Sequence, residues 1–231
     1  MDVAFVLYEE FTALDLIGPY EVISLWPGVT IHFLAVGEGP VRTDHGLAML
    51  PTATPMSLPA PDLIVVPGSS KPLGPLGDEA LLAWLREAAP RARWATSVCT
   101  GSAVYAAAGL LDGRRATTHW AFRENLRAMG VDVVGERVVF DGTFVSGAGV
   151  SAGIDMALAL TARVHGEDVA KAIQLAIEYD PQPPFAAGTP ATADASTLRI
   201  AARLLLGDRP LDYLAGVGRR LVTDRGRRLR A

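Results

Sequence analysis

The single cysteine of this 231-residue chain, Cys99, occupies the position that most clearly favours chemistry. An apolar stretch ends at Val98, and small residues occupy positions 101 to 103. This order is typical of a nucleophile elbow, a strand-to-helix turn in which small residues let the helix approach the strand. Amides and the positive dipole end at the start of that helix would favour a thiolate. The alternative is a buried cysteine that packs as a small apolar residue.

Two further segments have residue types that would complete a site around Cys99. Gly68 and Ser69 end another apolar stretch, and the carboxyl ends of parallel strands meet at one edge of a sheet, so their amides are expected near the cysteine. Asp15 stands among apolar neighbours after the first predicted strand, where desolvation would raise the pKa of its carboxyl group. Thr12 lies three residues earlier, so a helix-capping role for Asp15 is the alternative.

The histidines give weaker signals than the cysteine. His119 or Thr118 is expected to cap the helix that follows, which favours a structural role for His119 over a catalytic one. The four histidines and the cysteine lack metal-ligand spacing, and no phosphate-binding or dinucleotide-binding glycine pattern is present. The sequence therefore predicts neither a metal site nor an organic cofactor.

Strands and helices are predicted to alternate along the chain. Continuous apolar stretches predict strands buried on both faces at 3–7, 30–36, 62–66 and 93–98. Helices are predicted at 19–26, 78–89, 100–108, 120–129, 151–164, 168–178 and 193–206, the first of them beginning at Pro19. Asp141 and Gly142 predict a hairpin between strands 137–140 and 143–146. This alternation predicts an α/β sandwich with helices on a mostly parallel sheet.

The composition limits the possible classes of protein. Half of the residues are hydrophobic, which suits one α/β domain, and the formal net charge is only −4. A lone cysteine cannot form an internal disulfide and suits a reducing compartment. We find neither a secretory signal nor the roughly 18 consecutive apolar residues that span a bilayer. The sequence therefore predicts a cytoplasmic protein with no membrane or nucleic-acid partner.

The last 24 residues differ in charge from the rest of the chain. From Asp208 onward there are seven arginines and three aspartates, a local charge of +4. Tyr213 is the only aromatic residue in this segment, so a solvated C-terminal helix is favoured over a nucleic-acid-binding tail. We therefore predict an α/β domain at 1–207 and an arginine-rich C-terminal extension of it at 208–231.

Five separated motifs resemble the ThiJ/PfpI superfamily, whose fold is similar to that of class I glutamine amidotransferases. They are FTALDLIGPYEV at 11–22, VVPGSS at 65–70, VCTGSAVYAAAGLLDGRRATTHW at 98–120, GAGVSAGIDMALAL at 147–160 and IEYDPQPPFAAGTP at 177–190. Within the superfamily they are most similar to the isonitrile hydratase branch, and the likeness extends from residue 1 to about residue 206. The resemblance implies a flavodoxin-like three-layer sandwich, a small-molecule substrate, a homodimer and no cofactor.

The resemblance also implies roles for individual residues. It implies Cys99 as the nucleophile, Asp15 as the acid that faces it, and Thr100 as the neighbour that places water or substrate. Gly68 and Ser69 match the oxyanion-side turn of the family. Protease-like and glyoxalase-like members usually have histidine after the cysteine and glutamate at the early acid position, so the threonine and aspartate found here favour those activities less.

The activity implied by the resemblance is hydration of an isonitrile, R–N≡C. The hypothesis is that the Cys99 thiolate attacks the terminal carbon while the nitrogen side takes up a proton, which gives a thioimidate. Asp15 would shuttle the proton and then activate the water whose attack releases an N-substituted formamide. The alternatives are a cysteine-dependent amidase or glyoxalase-type enzyme, and a non-catalytic sensor or regulatory protein in which Cys99 senses oxidation.

Overall fold

The computed structural model of the protein describes residues 1–206, so the predicted arginine-rich extension lies outside the described residues. The strands are β1 (Asp2–Val6), β2 (Thr30–Leu34), β3 (Val41–Arg42), β4 (Ala48–Met49), β5 (Leu63–Val66), β6 (Trp94–Val98), β7 (Arg115–Ala116), β8 (Asp132–Val133), β9 (Val138–Asp141) and β10 (Phe144–Gly147). The helices are α1 (Ala13–Ile23), α2 (Leu73–Leu76), α3 (Glu79–Ala88), α4 (Gly101–Ala107), α5 (Arg123–Ala128), α6 (Ala152–His165), α7 (Glu167–Ala176) and α8 (Ala195–Leu206), with a 3₁₀ turn at Trp120–Phe122.

The main sheet has six strands in the order β2-β1-β5-β6-β10-β9. Neighbouring strands from β2 to β10 run parallel, and β9 pairs with β10 as the antiparallel hairpin predicted around Asp141-Gly142. Helices α1, α6 and α7 pack together as one group, and α4 packs with α2, α3 and α5 as another. The mostly parallel α/β fold is therefore confirmed, and the six strands of the main sheet lie within two residues of their predicted bounds, whereas the short strands β3, β4, β7 and β8 were not predicted.

The first helix differs from the prediction. It begins at Ala13, not at Pro19, and the proline is buried inside it. Proline has no backbone N–H and cannot donate to the carbonyl one turn earlier, which is why helices usually start at such a residue. Here the ring lies against Gly153 of α6, so tertiary packing of the two helices overrides the local preference. The extra turns place Asp15 on a helix.

The predicted helix at 120–129 is divided in the structure. A 3₁₀ turn at Trp120–Phe122 precedes α5, and the His119 side chain caps that turn by accepting a hydrogen bond from the Ala121 N–H at 3.3 Å. The expected capping role of His119 is therefore confirmed. Within residues 1–206 no helix is long and apolar enough to cross a bilayer.

Helix α4 approaches the neighbouring strand β5 through Gly101. A Cβ atom at this position would lie 2.2 Å from the Val66 carbonyl oxygen and 2.7 Å from the Pro67 carbonyl oxygen. Both contacts are with backbone, which cannot rotate away as a side chain would. The small residue expected after the cysteine is thus required where the helix begins.

We expect Gly101→Ala to lower the free energy of unfolding by about 3 kcal/mol, because the added methyl group overpacks a site bounded by backbone. Gly74→Ala in α2 is the matched control, since a Cβ atom there meets no other group within 4 Å. Chemical denaturation of both variants measures the difference. Equal stability of the two variants would contradict the close approach described here.

Candidate active site

Cys99 lies at the turn between β6 and α4 with a positive φ of 57°. Few non-glycine residues adopt this left-handed conformation, and one that does is held by its surroundings. Its N–H donates to the carbonyl oxygens of Ala148 (2.7 Å) and Gly147 (3.1 Å). Its own carbonyl oxygen accepts from the Thr118 hydroxyl (2.8 Å) and the Ser102 hydroxyl (3.2 Å). Both backbone groups are therefore fixed, and with them the direction of the side chain.

Asp15 is fully buried in the first turn of α1. Its Oδ2 accepts a hydrogen bond from the Gly68 N–H at 2.9 Å. No group of the described residues donates a hydrogen bond to Oδ1, and the Cys99 thiol lies close enough to this carboxyl group that each of the two shifts the pKa of the other. The structure thus brings together the acid and the cysteine, which are far apart in the sequence.

The capping alternative for Asp15 is wrong. Thr12 precedes the helix but makes no side-chain capping bond, because its hydroxyl donates to Asp44 Oδ2 at 2.8 Å. The Thr12 N–H, which a capping box would join to the acid, donates instead to the Gly68 carbonyl oxygen at 2.8 Å. Asp15 therefore points towards the cysteine turn and away from its own helix end.

Burial dominates the electrostatics of Asp15. It raises the pKa of the carboxyl group from 3.8 to about 7, because a charge in an apolar interior loses its hydration. The Gly68 N–H and the Cys99 thiol act in the opposite direction by hydrogen bonding, while the negative charge of Asp44 raises the pKa further. Asp15 consequently exchanges protons close to neutral pH, as a proton shuttle requires.

The expectation that the helix start favours a thiolate is not met. Burial and the nearby Asp15 carboxylate raise the pKa of the Cys99 thiol well above its usual value. Hydrogen bonds from the backbone N–H groups of Thr100 and Val150 lower it, but by less than burial raises it. The resting cysteine is therefore a thiol, with the Asp15 carboxyl group close enough to influence its pKa.

The turn at Gly68-Ser69 is bonded to the other site residues. The Ser69 N–H donates to the Thr100 hydroxyl oxygen at 2.8 Å, and that hydroxyl donates to the Ser69 carbonyl oxygen at 3.0 Å. A Cβ atom at Gly68 would lie 2.5 Å from the Thr100 nitrogen and 2.8 Å from Asp15 Oδ2, so this position requires glycine. The N–H groups of Gly68 and Ser69, expected near the cysteine, are both engaged within the protein.

A cavity of about 210 Å³ opens beside the cysteine. Its polar lining residues are Thr12, Asp44, His45, Ser69, Ser70, Thr100 and His119, and its other lining residues are Pro72, Cys99, Ala121, Phe122, Val150 and Leu205. Sites for drug-sized ligands occupy roughly 300–1,000 Å³, so this cavity suits a smaller molecule. Among residues 1–206, no three or more His, Cys, Asp or Glu side chains are grouped as metal ligands.

Sequence reasoning missed that His119 also lines the cavity. Burial and the positive charge of Arg123 lower its pKa to about 4, so the imidazole is neutral at pH 7. Because Nδ1 accepts the Ala121 N–H, the ring proton is on Nε2. The sequence analysis also did not predict that Asp44 and Val150 line the cavity. No local pattern marks Asp44, and the only signal at Val150 is its place after Gly147 and Gly149 in the motif at 147–160.

We expect Asp15→Asn to change the pH dependence of stability. In the wild type the folded-state pKa lies above the unfolded value, so stability is highest below about pH 4 and is lost as pH rises to about 7. Asparagine does not ionise, so the variant gains stability relative to wild type between pH 4 and pH 8. The gain is roughly 4 kcal/mol, because each pKa unit is about 1.4 kcal/mol.

Denaturant unfolding at several pH values measures this gain. Glu21→Gln, at an exposed position of the same helix, is the matched control and should show no comparable trend. A constant difference between Asp15→Asn and wild type across this range would mean that the carboxyl group is ionised in the fold at little cost.

Comparison with known proteins identifies the family. The DJ-1/PfpI family profile matches residues 1–163. The chain is 44% identical to the isonitrile hydratase of Pseudomonas putida over 199 residues, which cover 86% of this chain and 87% of that protein. It is 33% identical to the HTH-type transcriptional regulator CdhR of Pseudomonas aeruginosa, over 80% of this chain and 53% of the regulator.

Among solved structures, a ThiJ/PfpI family protein from Pseudomonas syringae superposes with a TM-score of 0.86 at 35% identity, covering 96% of this chain and 89% of that one. The fold, the elbow cysteine and these likenesses agree with the resemblance noted from the motifs. The chain belongs to the DJ-1/PfpI family.

Proposed function

We propose that this protein is an isonitrile hydratase that adds water to R–N≡C and releases an N-substituted formamide, with Cys99 as nucleophile and no cofactor. The observation that carries the proposal is the buried Asp15–Cys99 pair beside a small cavity, with one carboxylate oxygen that no N–H or O–H of the described residues occupies. The 44% identity to the Pseudomonas putida isonitrile hydratase supports the choice of substrate.

In the first step the thiol proton of Cys99 passes to Asp15 while the sulfur attacks the terminal carbon of the isonitrile. The triple bond becomes a double bond and leaves an electron pair on that carbon. Asp15 returns the proton to this pair on carbon, and not to the nitrogen side as first expected, which gives the thioimidate R–N=CH–S–Cys99. Amide N–H groups of Thr100 and Val150 face the sulfur and stabilise negative charge on it as the proton leaves.

In the second step Asp15, again a carboxylate, takes a proton from water as the oxygen adds to the thioimidate carbon. The proton passes to the nitrogen, and the product of this addition is R–NH–CH(OH)–S–Cys99. Cleavage of the carbon–sulfur bond then releases R–NH–CHO, and the hydroxyl proton returns to the sulfur through Asp15. One water is consumed, and the thiol and the carboxylate are both restored.

The surrounding residues hold these groups in place. We propose that Gly68 and Ser69 position Asp15 and Thr100 and do not donate to the substrate, because their N–H groups are already bonded. The Thr100 hydroxyl is bonded to both backbone groups of Ser69, so it fixes the elbow against the turn. His119 offers an Nε2 proton at the cavity wall for a polar atom of the substrate or water. The homodimer implied by the family resemblance remains a prediction.

A ligand-sensing role is the second candidate, and the likeness to the regulator CdhR is the observation that favours it. Oxidation sensing at Cys99 is disfavoured, because sensor cysteines have low thiol pKa values and are accessible. Here the thiol pKa is raised and only 6% of the residue is exposed. A sensor of this kind would bind an isonitrile without releasing formamide, so a turnover assay separates the two roles.

We expect purified protein to convert cyclohexyl isonitrile to N-cyclohexylformamide, measured by gas chromatography. Cys99→Ser should lose activity, because a serine hydroxyl is a far poorer nucleophile at neutral pH, and Asp15→Asn should lose it by about a hundredfold or more. Glu21→Gln, which removes an exposed carboxylate from the same helix, should retain full turnover. Undiminished formamide release by a folded Cys99→Ser protein would refute the nucleophile assignment.

The pH dependence of kcat/KM should report Asp15. Below about pH 7 its carboxyl group is protonated and cannot accept the thiol proton, so kcat/KM should rise through this pH and then level off. Asp44→Asn removes a negative charge that raises the Asp15 pKa, so the rise should move to lower pH. The exposed Asp132→Asn is the control. An unshifted profile for Asp44→Asn would contradict the coupling.

A further inference from the structure

The C-terminal helix α8 reaches the candidate active site. Its half-buried residues recur at the spacing of one helix face, with Leu198, Ala201 and Ala202 preceding Leu205. Leu205 is 37% exposed and lines the cavity, whereas its neighbour Leu204 is 82% exposed and does not. The helix thus lies with the Leu205 face on the domain and places that side chain in the cavity wall.

The cavity lining divides by chemistry. Polar groups come from Thr12, Asp44, His45, Ser69, Ser70, Thr100 and His119, while Pro72, Ala121, Phe122, Val150 and Leu205 contribute apolar surface. An isonitrile is linear from its terminal carbon through nitrogen to the first atom of its substituent. With that carbon on the cysteine sulfur, the substituent extends away from the sulfur into the cavity, where apolar side chains favour an apolar group.

We propose that Leu205 is a specificity-determining residue, and that it limits the substrate to isonitriles with a compact apolar substituent. The identity of the substrate rests on the proposed function, but the position of Leu205 in the wall beside Cys99 does not. In a cavity of about 210 Å³ the loss of one side chain is a large relative change. Size discrimination by an apolar wall is typically about 10- to 200-fold per methylene.

The first test measures kcat/KM for ethyl isonitrile and for the bulkier 1-adamantyl isonitrile. Leu205→Ala should raise the ratio of bulky to compact substrate by about tenfold, and Leu205→Phe should lower it. Leu204→Ala is the matched control, one residue away on the same helix, and should leave the ratio unchanged. Equal ratios for Leu205→Ala and Leu204→Ala would overturn the proposal.

A second test does not depend on turnover. Because Cys99 is the only cysteine, alkylation of the protein by compact iodoacetamide and by bulky N-benzylmaleimide reports access to this thiol alone. Leu205→Ala should speed the bulky reagent selectively, and Leu205→Phe should slow it.

The two tests together separate the possible failures. If wild type hydrates no isonitrile but the alkylation ratio shifts as expected, the proposed function fails while the assignment of Leu205 to the wall stands. If Leu205→Ala speeds both reagents equally, helix α8 has only loosened and the specificity role is overturned. Unchanged alkylation by both Leu205 variants, with unfolding midpoints near wild type, would overturn it as well.

Discussion

The site depends on the close backbone approach between the turn after β5 and the start of α4. The Val66 and Pro67 carbonyl oxygens lie so near Gly101 that no side chain fits there, and Gly68 meets Thr100 just as closely. The Tyr8 hydroxyl also binds this turn, because it donates a hydrogen bond to the Pro67 carbonyl oxygen at 2.6 Å. Because these contacts involve backbone atoms, they fix the turn and the elbow as one rigid unit.

This rigid unit explains how a carboxylate is kept in an apolar interior. A buried charge is costly unless it is hydrogen-bonded, and the Gly68 N–H supplies a bond to one oxygen of Asp15. The other oxygen accepts no hydrogen bond from the described residues. Burial therefore has two effects. It raises the pKa of Asp15 to about 7, and it raises the pKa of the Cys99 thiol, so the resting cysteine is protonated. Each of the two groups also shifts the pKa of the other, so their protonation states are linked.

The cavity beside Cys99 defines the space that the proposed substrate would occupy. Its walls come from segments spread along the chain, from Thr12 in the N-terminal part to Leu205 in the last described helix. Its lining combines polar side chains with apolar ones such as Phe122 and Leu205. A small molecule that has a polar end and an apolar end finds groups of both kinds there, which is consistent with the substrate class proposed above.

The sequence by itself determined the sheet, the hairpin and the elbow, and it singled out Cys99 and Asp15 as candidate site residues. These features have local signals in the sequence, namely the continuous apolar stretches, the Asp-Gly pair and the small residues after Cys99. The structure contains the elements that these signals predict. Only the tertiary structure decided what depends on contacts between distant segments. Packing of α1 on α6 moved the helix start ahead of Pro19 and turned Asp15 from a possible cap into the partner of the cysteine. Burial outweighed the helix start in setting the thiol pKa, and the fold brought Asp44, His119, Val150 and Leu205 to one cavity, which no spacing along the chain predicts.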